Sequence, residues 1–140
     1  MRSIFEFNIL ITVIATSFLH TIATDVTTTW VGDTIKGTTA TLQCSWTNGS
    51  PTSLAFSSNN DTTNTNNFYF NCVVGSNTPY SCSKGTSANL GNYSINFSQQ
   101  GSVSMMISNL QCADDGTAYF CLVGGTFQTP NISKAVLAVK

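Results

Sequence analysis

Residues 38–46, TTATLQCSW, alternate strictly, with Ala40, Leu42, Cys44 and Trp46 on one side of an extended chain and Thr39, Thr41, Gln43 and Ser45 on the other. A period of two with one apolar and one polar side marks a half-buried β-strand, because successive strand side chains point to opposite faces. The pattern recurs in NYSINFS, where Tyr93, Ile95 and Phe97 oppose Asn92, Ser94 and Asn96, and again in Val103, Met105 and Ile107 after the turn Gln99-Gln100-Gly101. These two runs read as a hairpin. TAYFCLV and SKAVLAV follow as further strands, separated by the loop GGTFQTPN, and no helical period persists anywhere after residue 25. Short strands with turn residues between them predict an all-β antiparallel sandwich or barrel. The polar run SSNNDTTNTNN, residues 57–67, has nothing to bury and is expected to be an exposed loop.

The first residues, MRSIFEFNILITVIATSFLHTIAT, join Arg2 to an apolar run from Ile9 to Leu19 and then to small residues around Ala23. This is the pattern of a secretory signal peptide, residues 1–23, cleaved to leave one domain over 24–140. The apolar run falls well short of the roughly 20 residues that span a bilayer, so no membrane insertion is expected after cleavage.

Beyond that leader the chain lacks the side chains that most chemistry requires. The single histidine, His20, the only arginine, Arg2, and the only glutamate, Glu6, all lie within it, leaving four lysines and five aspartates. Without imidazole there is no histidine base for a serine or cysteine nucleophile and no histidine metal site. The cysteines show no Cys-x-x-Cys pair, so no metal is expected, and no cofactor. A near-neutral balance without arginine argues against nucleic acid, whose binding rests on many basic contacts to phosphate. The reading is therefore a binding module and not an enzyme.

Cys44, Cys72, Cys82, Cys112 and Cys121 all follow the leader, which places them in an oxidising compartment where disulfides persist. Asn-x-Ser/Thr sequons at Asn48, Asn60, Asn92, Asn96 and Asn131 fit a secreted, extracellular glycoprotein.

ADDGTAYFC, residues 113–121, is the most specific stretch. In a two-sheet sandwich the chain turns a corner at the sandwich edge, and a tyrosine two residues before a core cysteine can hydrogen-bond back to the upstream backbone. Tyr119 and Cys121 fit that corner; Gly116 supplies backbone freedom and Asp115 an acceptor for nearby amides. With Ile107 and Leu110 leading in, ISNLQCADDGTAYFC resembles the corner between the E and F strands of immunoglobulin variable-type domains, and GTTATLQCSW resembles their B strand. The resemblance spans about Val26 to Lys140. It implies a two-sheet antiparallel immunoglobulin-like sandwich of the V type, with Cys44 and Cys121 bridged between the sheets.

The family usually places a tryptophan on strand C against that bridge, and this chain offers two substitutes. Phe56 lies at the family's spacing from Cys44. Phe70 instead leaves residues 47–67 as one long loop and resembles the polymeric-immunoglobulin-receptor and triggering-receptor domains, in which a second disulfide staples strand C to its neighbour. Cys72 and Cys82 then form the staple, although Cys72 stands two residues after Phe70 where the family places it immediately after the aromatic. Cys112 is left free, either buried or able to join a second chain. The family's Asp115 position often pairs with an arginine; none is present, so a hydrogen bond replaces that pair or nothing does. The missing arginine also argues against the family's sialic-acid-binding mode.

With Tyr119 and Cys121 turned inward, Phe120 and Leu122 must face outward, and two large apolar residues on a nominally solvated face suggest an interface. Asn92 and Asn96 share the outer face of the other sheet. The expected partner-binding surface is thus the outer face of strand C with the strands TAYFCLV (F) and SKAVLAV (G), around Phe120 and Leu122, with Phe127 in the intervening loop at its rim; the opposing possibility is that the long polar loop covers these residues. The expected function is recognition of an extracellular protein, as an immune-type receptor fragment or a secreted decoy. The alternative is a self-associating adhesive domain, a homodimer through its apolar face or through Cys112.

Overall fold

The computed structural model describes residues 25–47, 51–73, 80–90, 92–99, 101–125 and 130–140. The leader, Asn48 and Phe127 lie outside them. Among the described residues nine strands form two antiparallel sheets: β1 (Asp25–Val31), β2 (Ala40–Thr47), β3 (Ser53–Ser57), β4 (Phe68–Val73), β5 (Ser81–Lys84), β6 (Tyr93–Gln99), β7 (Ser102–Ile107), β8 (Ala118–Gly124) and β9 (Asn131–Val136). The first sheet has the order β1-β2-β7-β6 and the second β5-β4-β3-β8-β9.

The alternation seen in the sequence is what closes the sandwich. Leu42, Cys44, Val103, Met105 and Ile107 of the first sheet meet Leu54, Phe56, Phe70, Cys121 and Val123 of the second in one buried cluster. Full burial of such a side chain stabilises the fold by roughly 1.5–3 kcal/mol. Cys44 and Cys121 are bridged between the sheets, with their Cα atoms 6.2 Å apart. The architecture is an all-β sandwich with an inter-sheet disulfide, compatible with an immunoglobulin-like fold.

Phe56 and Phe70 now separate. Phe56 is fully buried on β3, directly opposite Cys121 of β8, while Phe70 lies on the next strand out, opposite Phe56. The register with Phe70 at the centre of the sheet, and residues 47–67 as a single loop, does not hold, because β3 lies inside that span. Its five residues SLAFS place Leu54 and Phe56 on the core side, and this is enough apolar surface to insert a strand between β4 and β8. The awkward spacing of Cys72 is resolved as well. Phe70 and Cys72 share the inner face of β4, and Cys72 stands opposite Cys82 of β5, to which it is bridged.

The pairing of β3 with β4 shifts by one residue, so that Phe56 faces Phe70 but Ser57 faces Phe68. Tyr69 is the extra residue. Such a bulge breaks the pleat locally, and both Tyr69 and Phe70 turn into the core while Phe68 emerges on the outside.

Residues 58–67 carry no core side chain and are organised by their own polar groups. The Asp61 and Thr63 amides donate to the side chains two residues earlier, Asn59 and Asp61, and the Asn66 amide donates to Asn64. Short polar side chains favour such turns because their oxygens reach the backbone two residues on. Residues 60–66 are exposed, as expected, whereas Ser57 at the start of the run is buried.

After β1 the chain crosses to the second sheet and fastens the C-terminal segment. Lys140 N donates to the Thr34 carbonyl at 2.9 Å, the Thr34 hydroxyl to the Ala138 carbonyl, and Trp30 Nε1 to the Val136 carbonyl at 2.9 Å.

Candidate functional site

The outer face of the five-stranded sheet begins with β8. Tyr119, Cys121 and Val123 point inward, so pleating sends Ala118, Phe120 and Leu122 outward. On β9 their partners are Val136, Lys134 and Ile132, and across β3 Leu122 stands beside Ala55. Outward direction and exposure diverge at this point. Leu122 is only 4% exposed, within a small second cluster with Ala55 and Phe68 on which Phe120 packs. The expectation that Leu122 lies open at the centre of a contact surface is therefore corrected. Phe68, the residue that the β4 bulge turns outward, packs with it.

Phe68 is held there by a close approach of the chain after β5. Gly85 N donates to the Tyr69 carbonyl at 2.9 Å, and a Cβ on Gly85 would collide with the Phe68 carbonyl. Only glycine fits that contact. Neither Phe68 nor Ala55 is legible as a partner of Leu122 in the sequence, because the bulge that brings Phe68 outward leaves no mark in the apolar run FYF.

Around this covered centre lie more exposed groups. Phe120 is half-buried, with Lys134 Nζ 5.8 Å from its ring centroid, a distance at which the cation is attracted to the ring face. Val136 and Ile132 on β9 are 50% and 42% exposed, and Val73 at the end of β4 is 52% exposed. The face is thus a buried apolar core with an open rim of aliphatic side chains and one cation. It can bury apolar surface against another molecule.

The corner motif occupies the opposite end of β8. Gly116 adopts φ +78°, in the left-handed region, and its N–H donates to the Leu137 carbonyl at 2.9 Å. Asp115 Oδ1 accepts from Val139 N at 2.9 Å, so a backbone amide takes the place of the absent arginine. The 3-10 turn Cys112–Asp114 is capped by Asp114, whose carboxylate accepts from Gln111 N at 2.7 Å.

Tyr119 is buried at 1% exposure, edge-on to Trp30 at 5.5 Å between ring centroids and 5.4 Å from Tyr69. Its hydroxyl neighbours Tyr93 of β6, whose ring also lies 4.7 Å from that of Tyr69. Burial drives both phenols well above the ordinary value of 10.0, and the neighbouring Tyr93 and Asp114 push in the same direction. Both phenols are held neutral, and their rings pack across the sheets against Trp30 and Tyr93.

Cys112 is a free, exposed thiol in its 3-10 turn. Of the sequons, Asn92 and Asn96 are exposed on or beside β6, Asn60 is exposed in the β3–β4 loop, and Asn131 is exposed at the start of β9. Among the described residues no group of three His, Cys, Asp or Glu side chains could hold a metal, and no helix is long and apolar enough to cross a membrane.

The chain matches no protein-family model and no curated protein.

Proposed function

We propose that the chain is a variable-type immunoglobulin domain of a secreted, N-glycosylated protein, and that it recognises another extracellular protein through the outer face of β9, β8, β3 and β4. It acts as an immune-type receptor fragment or a soluble decoy. The observation that carries this reading is the contrast between the two outer faces. That of β9-β8-β3-β4 presents Ile132, Val136 and Val73 around Phe120 and its small apolar cluster, whereas the other sheet, apart from Val31 on its edge strand and the part-exposed Met106, presents hydroxyls and amides with sequons at Asn92 and Asn96. Exposed aliphatic groups around a packed aromatic are the composition of a contact surface with a dry centre. Two disulfides and the apolar leader sequence support passage through an oxidising secretory compartment.

The test is a binding screen of the secreted domain against displayed extracellular proteins, followed by Ile132→Asp and Val136→Asp. These positions are half-exposed, so folding should survive and binding should fall at least tenfold, a loss of about 1.4 kcal/mol. Full-strength binding by both variants would move the site off this face. Light scattering of the same preparations distinguishes recognition of a foreign partner from self-association; a dimer abolished by these two changes would favour the adhesive reading, and one abolished only by Cys112→Ser would place the contact at the thiol.

A further inference from the structure

We infer that Asn96 carries an N-linked glycan which lies across the outer face of the four-stranded sheet and shields it, in place of projecting into solvent. This rests on the secretory reading above. Asn96 is exposed on β6, within the sequon Asn96-Phe97-Ser98. In an oligosaccharide transfer from a polyprenol-diphosphate donor, the Asn96 Nδ2 forms a bond to the anomeric carbon. The bond from that carbon to the diphosphate breaks, the amide gives up one proton and the lipid diphosphate leaves.

The surface beside Asn96 has the chemistry of a sugar's bed. Strand pairing sets Asn96 opposite Ser104, Ser104 opposite Gln43, and Gln43 opposite Thr29, so one row of hydroxyls and amides crosses all four strands. At about 4.8 Å per strand the row is roughly 14 Å long, within reach of an N-glycan core anchored at its end. Ser104 is only 9% exposed although it faces outward, because it is short and is flanked by the longer Gln43 and Asn96. Among the described residues no charged side chain faces outward on this sheet except Asp25 at one corner. An uncharged face with hydroxyls to hydrogen-bond and Met106 beside them to contact ring carbons suits a neutral saccharide. It suits an acidic or basic partner poorly, because it offers no opposite charge.

Two adjacent methionines provide the readout. Met106 is part-exposed on the outer face, diagonal to Asn96 in the next row, whereas Met105 is fully buried in the core. Peroxide converts accessible methionine to the sulfoxide. The full chain would be secreted from eukaryotic cells as the Asn92→Gln variant, so that only one sequon of β6 remains, and glycopeptide mass spectrometry would determine occupancy at Asn96. Oxidation of Met106 would then be timed before and after enzymatic release of the glycan from the folded protein, and in Asn96→Gln. The expected result is an occupied Asn96, with Met106 oxidised several-fold faster once the glycan is gone and Met105 unreactive throughout. Secretion with Asn96 unoccupied would overturn the inference while leaving the secretory reading intact. An occupied Asn96 with an unchanged Met106 rate would show a glycan that does not lie on the sheet, and failure of the chain to be secreted would remove both readings.

Discussion

The Asp115 carboxylate accepts a hydrogen bond from the Val139 amide at 2.9 Å, and so ties the corner before β8 to the last residues of the chain. Those residues also receive bonds from Trp30, Thr34 and Lys36, so Asp115 is one of several fastenings of a single segment. Replacement by Ala leaves the Val139 amide to water. Because the site is exposed, Asp115→Ala should cost about 1 kcal/mol, and Asp115→Asn, which keeps an acceptor, clearly less. Urea unfolding of the two variants checks this. Equal stability of wild type and Asp115→Ala would show that the bond contributes nothing in solution.

The bridge between Cys44 and Cys121 closes a separation of 77 residues and is packed against Phe56. Constraint of so long a loop in the unfolded chain is worth roughly 4–5 kcal/mol in the chain-entropy account. Joint replacement of both cysteines by Ala should destabilise by about 2–5 kcal/mol and reduce secreted yield sharply. Phe56→Ala, which leaves a cavity beside the intact bridge, should cost about 3–5 kcal/mol. Chemical denaturation measures both. A Phe56→Ala protein with unaltered stability would mean that the aromatic does not fill the centre of the second sheet.

Thiol chemistry separates the five cysteines. Cys72 is fully buried and bridged to Cys82 across β4 and β5, while Cys112 stands free and exposed in its 3-10 turn. An alkylating reagent applied to the folded, unreduced protein should label one site, Cys112, and peptide mapping without reduction should recover the Cys72–Cys82 pair. Label at Cys72 or Cys82, or a mapped link from either to Cys112, would contradict the pairing of β4 with β5.

Much of this architecture is visible in the amino-acid sequence itself. Strict alternation identifies β2, β6 and β7, and the Asp115-Gly116-x-x-Tyr119-x-Cys121 spacing identifies β8 with its corner, because in each case the pleat repeats undisturbed. The central strand β3 is harder to find. Its inward residues number only two, Leu54 and Phe56, and the longer apolar run FYF competes for the same place. The bulge at Tyr69 then defeats parity itself, since two consecutive residues turn inward and Phe68 faces out. For the same reason the outward direction of Leu122 can be read from its neighbours but its burial cannot, as that depends on Phe68 arriving from a different strand. Val73, Ile132 and Val136, the open rim of that face, lie at strand ends or on the sheet's edge, where alternation alone does not separate solvent from core.

The last prediction concerns alkaline pH. Burial raises the phenol pKa of Tyr69 and Tyr119 far above the ordinary 10.0, with Tyr93 and Asp114 reinforcing the shift. The native protein therefore holds these two protons more tightly than the unfolded chain does. Stability from this source is complete below the unfolded value near 10 and is lost as pH rises above it, because only the unfolded chain then releases the protons. Absorbance at 295 nm, which follows tyrosinate, should show the two buried tyrosines silent while the fold persists and ionising together with unfolding. Each should remain silent to higher pH than any tyrosine titrating at the ordinary value. Removal of one of these hydroxyls by Tyr69→Phe should make unfolding less sensitive to alkali. Ionisation of all tyrosines near pH 10 with the sheets intact, as judged by circular dichroism, would show that Tyr69 and Tyr119 are open to water and that their packing between the sheets is wrong.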